Sequence, residues 1–174
     1  MLRAFAFLSL ALLAAAPASA ADIFTGLLVH DVDTPLNAGG LEDGADLQIG
    51  WRSARIAPLA VIGAPSAQIY GSIATGGGTH FAAAGLSWRI GGRLFARPGI
   101  GLAIHSRDSH GTANGLRTDL GSRVLFSPEL GVGYQLSERI SLEATWVHLS
   151  HGQLFGRQNP GMDSVGVRLT YHLR

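Results

Sequence analysis

Cysteine is absent from the 174-residue chain, and so is lysine. Without cysteine neither a disulfide framework nor a thiolate metal site can form, and no thiol follows the N-terminal apolar segment to carry a lipid anchor. Without lysine, all 13 fixed positive charges are arginines, whose planar guanidinium groups suit phosphates. Charge of either sign is scarce, at 14% of residues with a net of +1, which speaks against a nucleic-acid-binding surface. Long apolar runs are missing as well. Beyond residue 20 no stretch approaches the roughly 18 apolar residues that a spanning helix needs. Yet 47% of the residues are hydrophobic and 24 are glycine. A hydrophobic chain without hydrophobic helices points to a closed barrel, the other way of satisfying every backbone group inside a bilayer.

The first twenty residues read as a secretory signal peptide. Arg3 supplies the positive start, Ala4 to Ala16 form an apolar segment too short to span, and Ala18-Ser19-Ala20 is a small-x-small cleavage site. Residues 21–174 are then one domain.

From Asp22 onward, short segments of alternating hydrophobicity are separated by clusters of Gly, Asp, Asn and Ser, the punctuation of strands and turns. Eight segments are predicted. The first, about Ile23 to His30, alternates poorly, and a polar loop from Asp31 to Gly44 follows it. The second begins near Asp46, with Leu47, Ile49 and Trp51 opposed to Gln48, Gly50 and Arg52. Its end is left open across Ser53 to Pro65. The third runs about Ala67 to Ala74 and the fourth His80 to Ile90.

The fifth and sixth alternate most clearly. Leu94, Ala96, Pro98, Ile100, Leu102 and Ile104 oppose Arg97, Gly99, Gly101, His105 and Arg107; Val124 to Leu136 repeats the pattern around Glu129. The seventh covers Ile140 to about His151 and the eighth Asp163 to Leu173. The sequence thus predicts an all-β fold, an eight-stranded antiparallel transmembrane β-barrel of the outer membrane, with apolar faces toward lipid and glycine-rich faces filling a narrow lumen. Arg97 and Glu129 are expected to pair there. The long polar connections belong outside the cell and both termini in the periplasm.

One stretch carries chemistry. Side chains alternate along a strand, so Leu142, Ala144, Trp146, His148 and Ser150 share the lipid-side face, and Asp163 shares its face with Val165 and Val167. Serine becomes a nucleophile when an imidazole takes its proton and a carboxylate orients that imidazole. His148, Ser150 and Asp163 supply these three groups at the outer ends of neighbouring strands, with His148 and Ser150 about 7 Å apart along the backbone. A lipid ester arriving from the outer leaflet is the substrate this position implies. Histidines 30, 80, 105, 110 and 172 lack such company and read as rim or lumen residues. His148 and His151 lie on opposite faces, which disfavours a metal site.

The segments Phe126-Ser127-Pro128-Glu129-Leu130-Gly131-Val132-Gly133-Tyr134, Ser141-Leu142-Glu143, His148-Leu149-Ser150 and Asn159-Pro160-Gly161, with Gly99 to His105 upstream, resemble the lipid A 3-O-deacylase (PagL-type, acyloxyacyl hydrolase) family. The resemblance extends from about residue 76 to the end. It implies an outer-membrane serine esterase that hydrolyses the 3-O-linked 3-hydroxyacyl chain of lipid A, part of lipopolysaccharide, with neither cofactor nor metal. Its partners are lipid A and the membrane, with no nucleic acid, and a homodimer is left open. By the resemblance His148 is the base, Ser150 the nucleophile, Asp163 the triad acid and Asn159 a contributor to the oxyanion hole. Two positions depart from the family pattern: Asp163 stands where glutamate is usual, and His151 where asparagine usually follows the serine. The chain also ends on Leu173-Arg174 rather than an aromatic residue. The competing readings are a non-enzymatic small outer-membrane barrel, with the polar cluster as its rim, and an inactive deacylase-like protein.

Overall fold

The structure is a computed structural model that describes residues 21–37, 40–106, 118–154 and 159–173. The expected signal peptide at 1–20, and Arg107, His110 and Arg174, lie outside the described residues. The strands are β1 (Asp22–Val29), β2 (Ala45–Arg55), β3 (Ser66–Ala74), β4 (Phe81–Ser87), β5 (Ile90–Gly91), β6 (Leu94–His105), β7 (Val124–Phe126), β8 (Glu129–Gln135), β9 (Ile140–Leu149) and β10 (Met162–His172). All pairings are antiparallel, and β1 bonds both β2 and β10, so the sheet closes without an edge. β4 with β5, and β7 with β8, each make one wall segment. The result is the eight-stranded barrel that the alternation predicts.

The break between β7 and β8 has a simple origin. Leu102 pairs with Phe126 and Gly99 with Glu129 in one continuous register, and Ser127 exchanges bonds with Gly101. Pro128 between them turns its backbone toward β9, where its carbonyl accepts the His148 N–H at 3.0 Å and its missing N–H leaves the return bond unmade, so that ladder skips there without shifting. The stretch left open after Ser53 also resolves. β2 continues to Arg55, and a 3-10 segment, Ala57–Ile62, makes the turn, closed by Gly63 at φ 91° and by the Trp88 indole, which donates to the Ile62 carbonyl. This turn and the short connections at 92–93 and 136–139 share one end, the periplasmic one. The described residues 30–37, 40–44, 75–80, 118–123, 150–154 and 159–161 lie at the opposite, extracellular end.

Outward positions carry Ile23, Leu27, Val29, Leu47, Ile49, Ile100, Leu102, Val132, Val165 and Val167, all exposed, as a lipid-facing band requires. The first strand alternates poorly in sequence because its inward residues, Phe24 and Leu28, are also apolar and fully buried. The lumen is packed, with Phe24, Leu28, Tyr70, Phe81, Leu125, Val147, Leu149 and Met162 in one cluster. Glycine makes room for the rings. A Cβ on Gly50 would lie 2.3 Å from the Phe24 ring, and one on Gly133 equally close to Phe95. Gly50→Val should therefore prevent a folded barrel, read as loss of the heat-modifiable band in gel electrophoresis.

Below this cluster the lumen is ionic, and here one expected pairing is corrected. Arg97 bonds Glu143, at 2.9 Å, whereas Glu129 bonds Arg168, at 3.0 Å. Glu129 also accepts from Gln68, and Arg168 donates to Gln48 and lies over the Phe24 and Tyr70 rings. Parity puts all four charged groups inside, but which pairs with which depends on how far round the closed wall each strand lies.

Candidate active site on the membrane face

β9 and β10 present the residues of interest. Their register pairs His148 directly with Asp163, and Trp146 with Val165. Both polar side chains have outward parity, while Val147, Leu149 and Met162 pack into the lumen behind them. That apolar backing holds the two strands at a fixed spacing where the site stands.

The imidazole and the carboxylate meet. His148 Nδ1 and Asp163 Oδ1 are 2.7 Å apart, so the shorter side chain of aspartate does reach. The Trp146 indole N–H donates to the same Oδ1, at 3.0 Å, and its ring stacks on the imidazole with centroids 5.8 Å apart and planes 23° apart. The Thr34 hydroxyl donates to Oδ2. Asp163 is fully buried although it faces the lipid side, because residues 32–37 fold over the rim and cover it.

That cover is built locally. Asp31 takes φ 48°, which turns the chain out of β1, and Val32 N–H then bonds the Asp163 carbonyl at 2.7 Å. The Asn37 side chain bonds the Val32 carbonyl and the Thr34 N–H, while Thr34 Oγ1 accepts from Leu36 N–H. Such side-chain-to-backbone bonds make a compact turn out of a polar loop. Sequence reasoning puts Trp146 on the face of His148 and Ser150, where an interfacial anchor beneath the site is expected, but not its bond to Asp163, and it misses Thr34 altogether; a threonine 129 residues from its partner leaves no local signal.

Ser150 continues β9 by one bridge, exchanging backbone bonds with Phe126, and is half-buried. Among the described residues no hydrogen bond joins its hydroxyl to His148. Asn159 is brought alongside: its Oδ1 accepts the His151 N–H at 3.0 Å. A backbone N–H can only donate, so the amide is oriented with its NH2 group directed elsewhere, as a donor pair with no partner among the described residues. Gly161, at φ 72°, lies against the imidazole, where a Cβ would come within 3.0 Å of His148 Cε1. The site therefore needs the glycine of Asn159-Pro160-Gly161 for both conformation and space.

Two histidines expected to lack company have it. His172 bonds Asp22 at the periplasmic end. His30, just past β1, lies between Asp46 and Glu42, at 3.0 and 2.9 Å, and both carboxylates can only accept from it. Burial disfavours its charge, but the hydrogen bonds and charges of Asp46 and Glu42 outweigh this and raise it to about 9. Asp46 takes a further bond from Ser164, Glu42 takes two from Thr79, and the nearby Asp31 accepts from Leu41, Glu42 and Thr118. Because the folded value lies above the ordinary 6.5, this tie contributes its full stability below about pH 6.5 and loses it as pH rises through about 9. Proteolytic nicking of the 31–44 loop in detergent-solubilised protein should accelerate above pH 9, and His30→Gln should flatten that dependence.

A closed, lipid-facing barrel of eight strands, with a histidine–carboxylate pair on its outer surface, defines an outer-membrane barrel protein with a candidate active site at the membrane interface. The family description "Lipid A 3-O-deacylase (PagL)" matches residues 45–172. The chain belongs to this family of outer-membrane ester hydrolases. Its fold is similar to the crystal structure of the outer membrane enzyme PagL, at 16% identity and a TM-score of 0.61 over 86% of this chain and 98% of that one. It is also similar to the Yersinia pestis outer membrane protein Ail in a phospholipid bilayer nanodisc, at 9% identity and a TM-score of 0.52 over 89% and 99%. Comparison with curated protein sequences gives no match.

Proposed function

We propose that this barrel is a serine esterase that removes the 3-O-linked 3-hydroxyacyl chain of lipid A with Ser150, His148 and Asp163. The observation that supports this most is the 2.7 Å contact of Asp163 with His148 on the membrane-facing side, two residues before a serine. With Nδ1 donating to the carboxylate, Nε2 is left as the acceptor for the serine proton.

Ser150 Oγ attacks the ester carbonyl carbon as His148 Nε2 takes the hydroxyl proton. The carbonyl oxygen becomes the oxyanion, for which the Asn159 amide NH2 is a donor. Collapse breaks the bond to the sugar oxygen, which leaves with the proton from His148, and the acyl group stays on Ser150. Water then enters, gives its proton to His148, releases the 3-hydroxy acid and restores the serine. The outward parity of the three residues lets the ester approach sideways from the outer leaflet, with its acyl chain still in lipid.

The test is mass spectrometry of lipid A from cells that express the chain and carry the 3-O-acyl substituent. Loss of one 3-hydroxyacyl mass is expected. An unchanged pattern with the folded barrel in the outer membrane overturns the proposal.

A further inference from the structure

We propose that Thr34 and Trp146 are positioning residues of this active site, which fix the Asp163 carboxylate and, through it, the tautomer and plane of His148. The inference rests on the triad reading above, in which Asp163 orients the base.

The chemistry of the donors carries the argument. An indole N–H has no lone pair in the ring plane to offer, so the Trp146 bond obliges Asp163 Oδ1 to accept. The same oxygen faces His148 Nδ1, and since a carboxylate has no proton to give, Nδ1 supplies the one between them. Nε2 is then the basic nitrogen, as proton removal from Ser150 requires. At Oδ2, the Thr34 oxygen already accepts the Leu36 N–H, so its own hydrogen is directed to the carboxylate. Both carboxylate oxygens are thereby held, one from the barrel wall and one from the loop.

Geometry adds a second function for the indole. Trp146 shares its strand face with His148 and stacks against it, so one side chain sets both the plane of the imidazole and the position of its partner oxygen. A carboxylate on the outer wall of a membrane barrel needs such company. Buried without donors it would incur the desolvation penalty of an unpaired charge, and with three side-chain donors on two oxygens it does not. The donor from residues 32–37 makes that cover part of the site, although it lies far from Ser150 in sequence.

The experiment measures kcat and KM on lipid A in mixed micelles for the full barrel and for Trp146→Phe, Thr34→Val, Thr34→Ser and Asp163→Asn, each checked for its heat-modifiable folded band. Trp146→Phe keeps a ring to stack and deletes the N–H; Thr34→Val deletes the hydroxyl at nearly constant shape. Both should lower kcat by roughly 10–100-fold, the scale of a misplaced catalytic group, with KM within about twofold. Thr34→Ser should restore most of the loss. Wild-type kcat in Trp146→Phe and Thr34→Val beside an inactive Asp163→Asn overturns the positioning role alone. A raised KM with unchanged kcat also overturns it, since it makes Trp146 only a lipid contact, as does equal loss in Thr34→Ser and Thr34→Val. An active Asp163→Asn removes the triad reading and this inference together.

Discussion

Ser150→Ala should leave the barrel folded and the lipid A pattern of expressing cells the same as without the protein. Removing the nucleophile of a triad lowers kcat by as much as roughly 10⁶-fold, and the remaining groups then act on water alone. The site supports a test this clean because Ser150 is half-buried at the end of β9 and contributes backbone bonds, not its hydroxyl, to the ladder with Phe126. Purified Ser150→Ala protein, assayed on lipid A in micelles, gives the rate directly. Activity within tenfold of wild type would exclude Ser150 as nucleophile and assign the hydrolysis to another residue, whereas no activity in either protein would return the reading to an inactive deacylase-like barrel. His148→Gln should show a comparable loss, because the serine and its base act as a unit and their effects do not add.

Glu129→Ala should destabilise the barrel by about 3–5 kcal/mol, the cost of breaking a buried ion pair and leaving one charge without its partner. Arg168 and Glu129 are both buried in the lumen, and once the carboxylate is gone Arg168 keeps Gln48, Tyr70, the Phe24 ring and the more distant charge of Glu143. Gln68 loses its acceptor in the same step. Urea titration of refolded protein in detergent or bilayers measures the change. The double variant Glu129→Gln with Arg168→Met should recover much of the loss, because it removes the orphaned charge together with its partner. Equal stability in Glu129→Ala and wild type would mean that lumen water solvates Arg168 freely and that the pair contributes nothing.

Much of this molecule is legible from alternation. Period two over eight segments specifies the barrel, the lipid-facing band and the outward parity of His148, Ser150 and Asp163, because the side chains of a strand must alternate whatever its partners are. The limits of that reading are also visible. β1 looks irregular in sequence because Phe24 and Leu28 fill the lumen with apolar rather than polar groups. Pro128 looks like an ordinary outward residue, and its missing N–H becomes apparent only as a gap in the ladder. The histidines are read individually and so without partners, yet His30 is held by two carboxylates from separate positions in the chain.

What alternation cannot supply is the third dimension of a closed sheet. It places Arg97, Arg168, Glu129 and Glu143 inside, but the stagger of the wall and the crossing of the lumen choose Arg97 with Glu143 and Arg168 with Glu129. It places Asp163 outside, where a carboxylate would stand unaccompanied in lipid. Only the fold brings Thr34 over the rim and turns the Trp146 indole beneath it, converting a charge on an apolar wall into a buried acceptor at hydrogen-bond distance from His148. Facing is a local property of the chain, whereas hydrogen-bond partners 129 residues apart are decided by closure of the barrel.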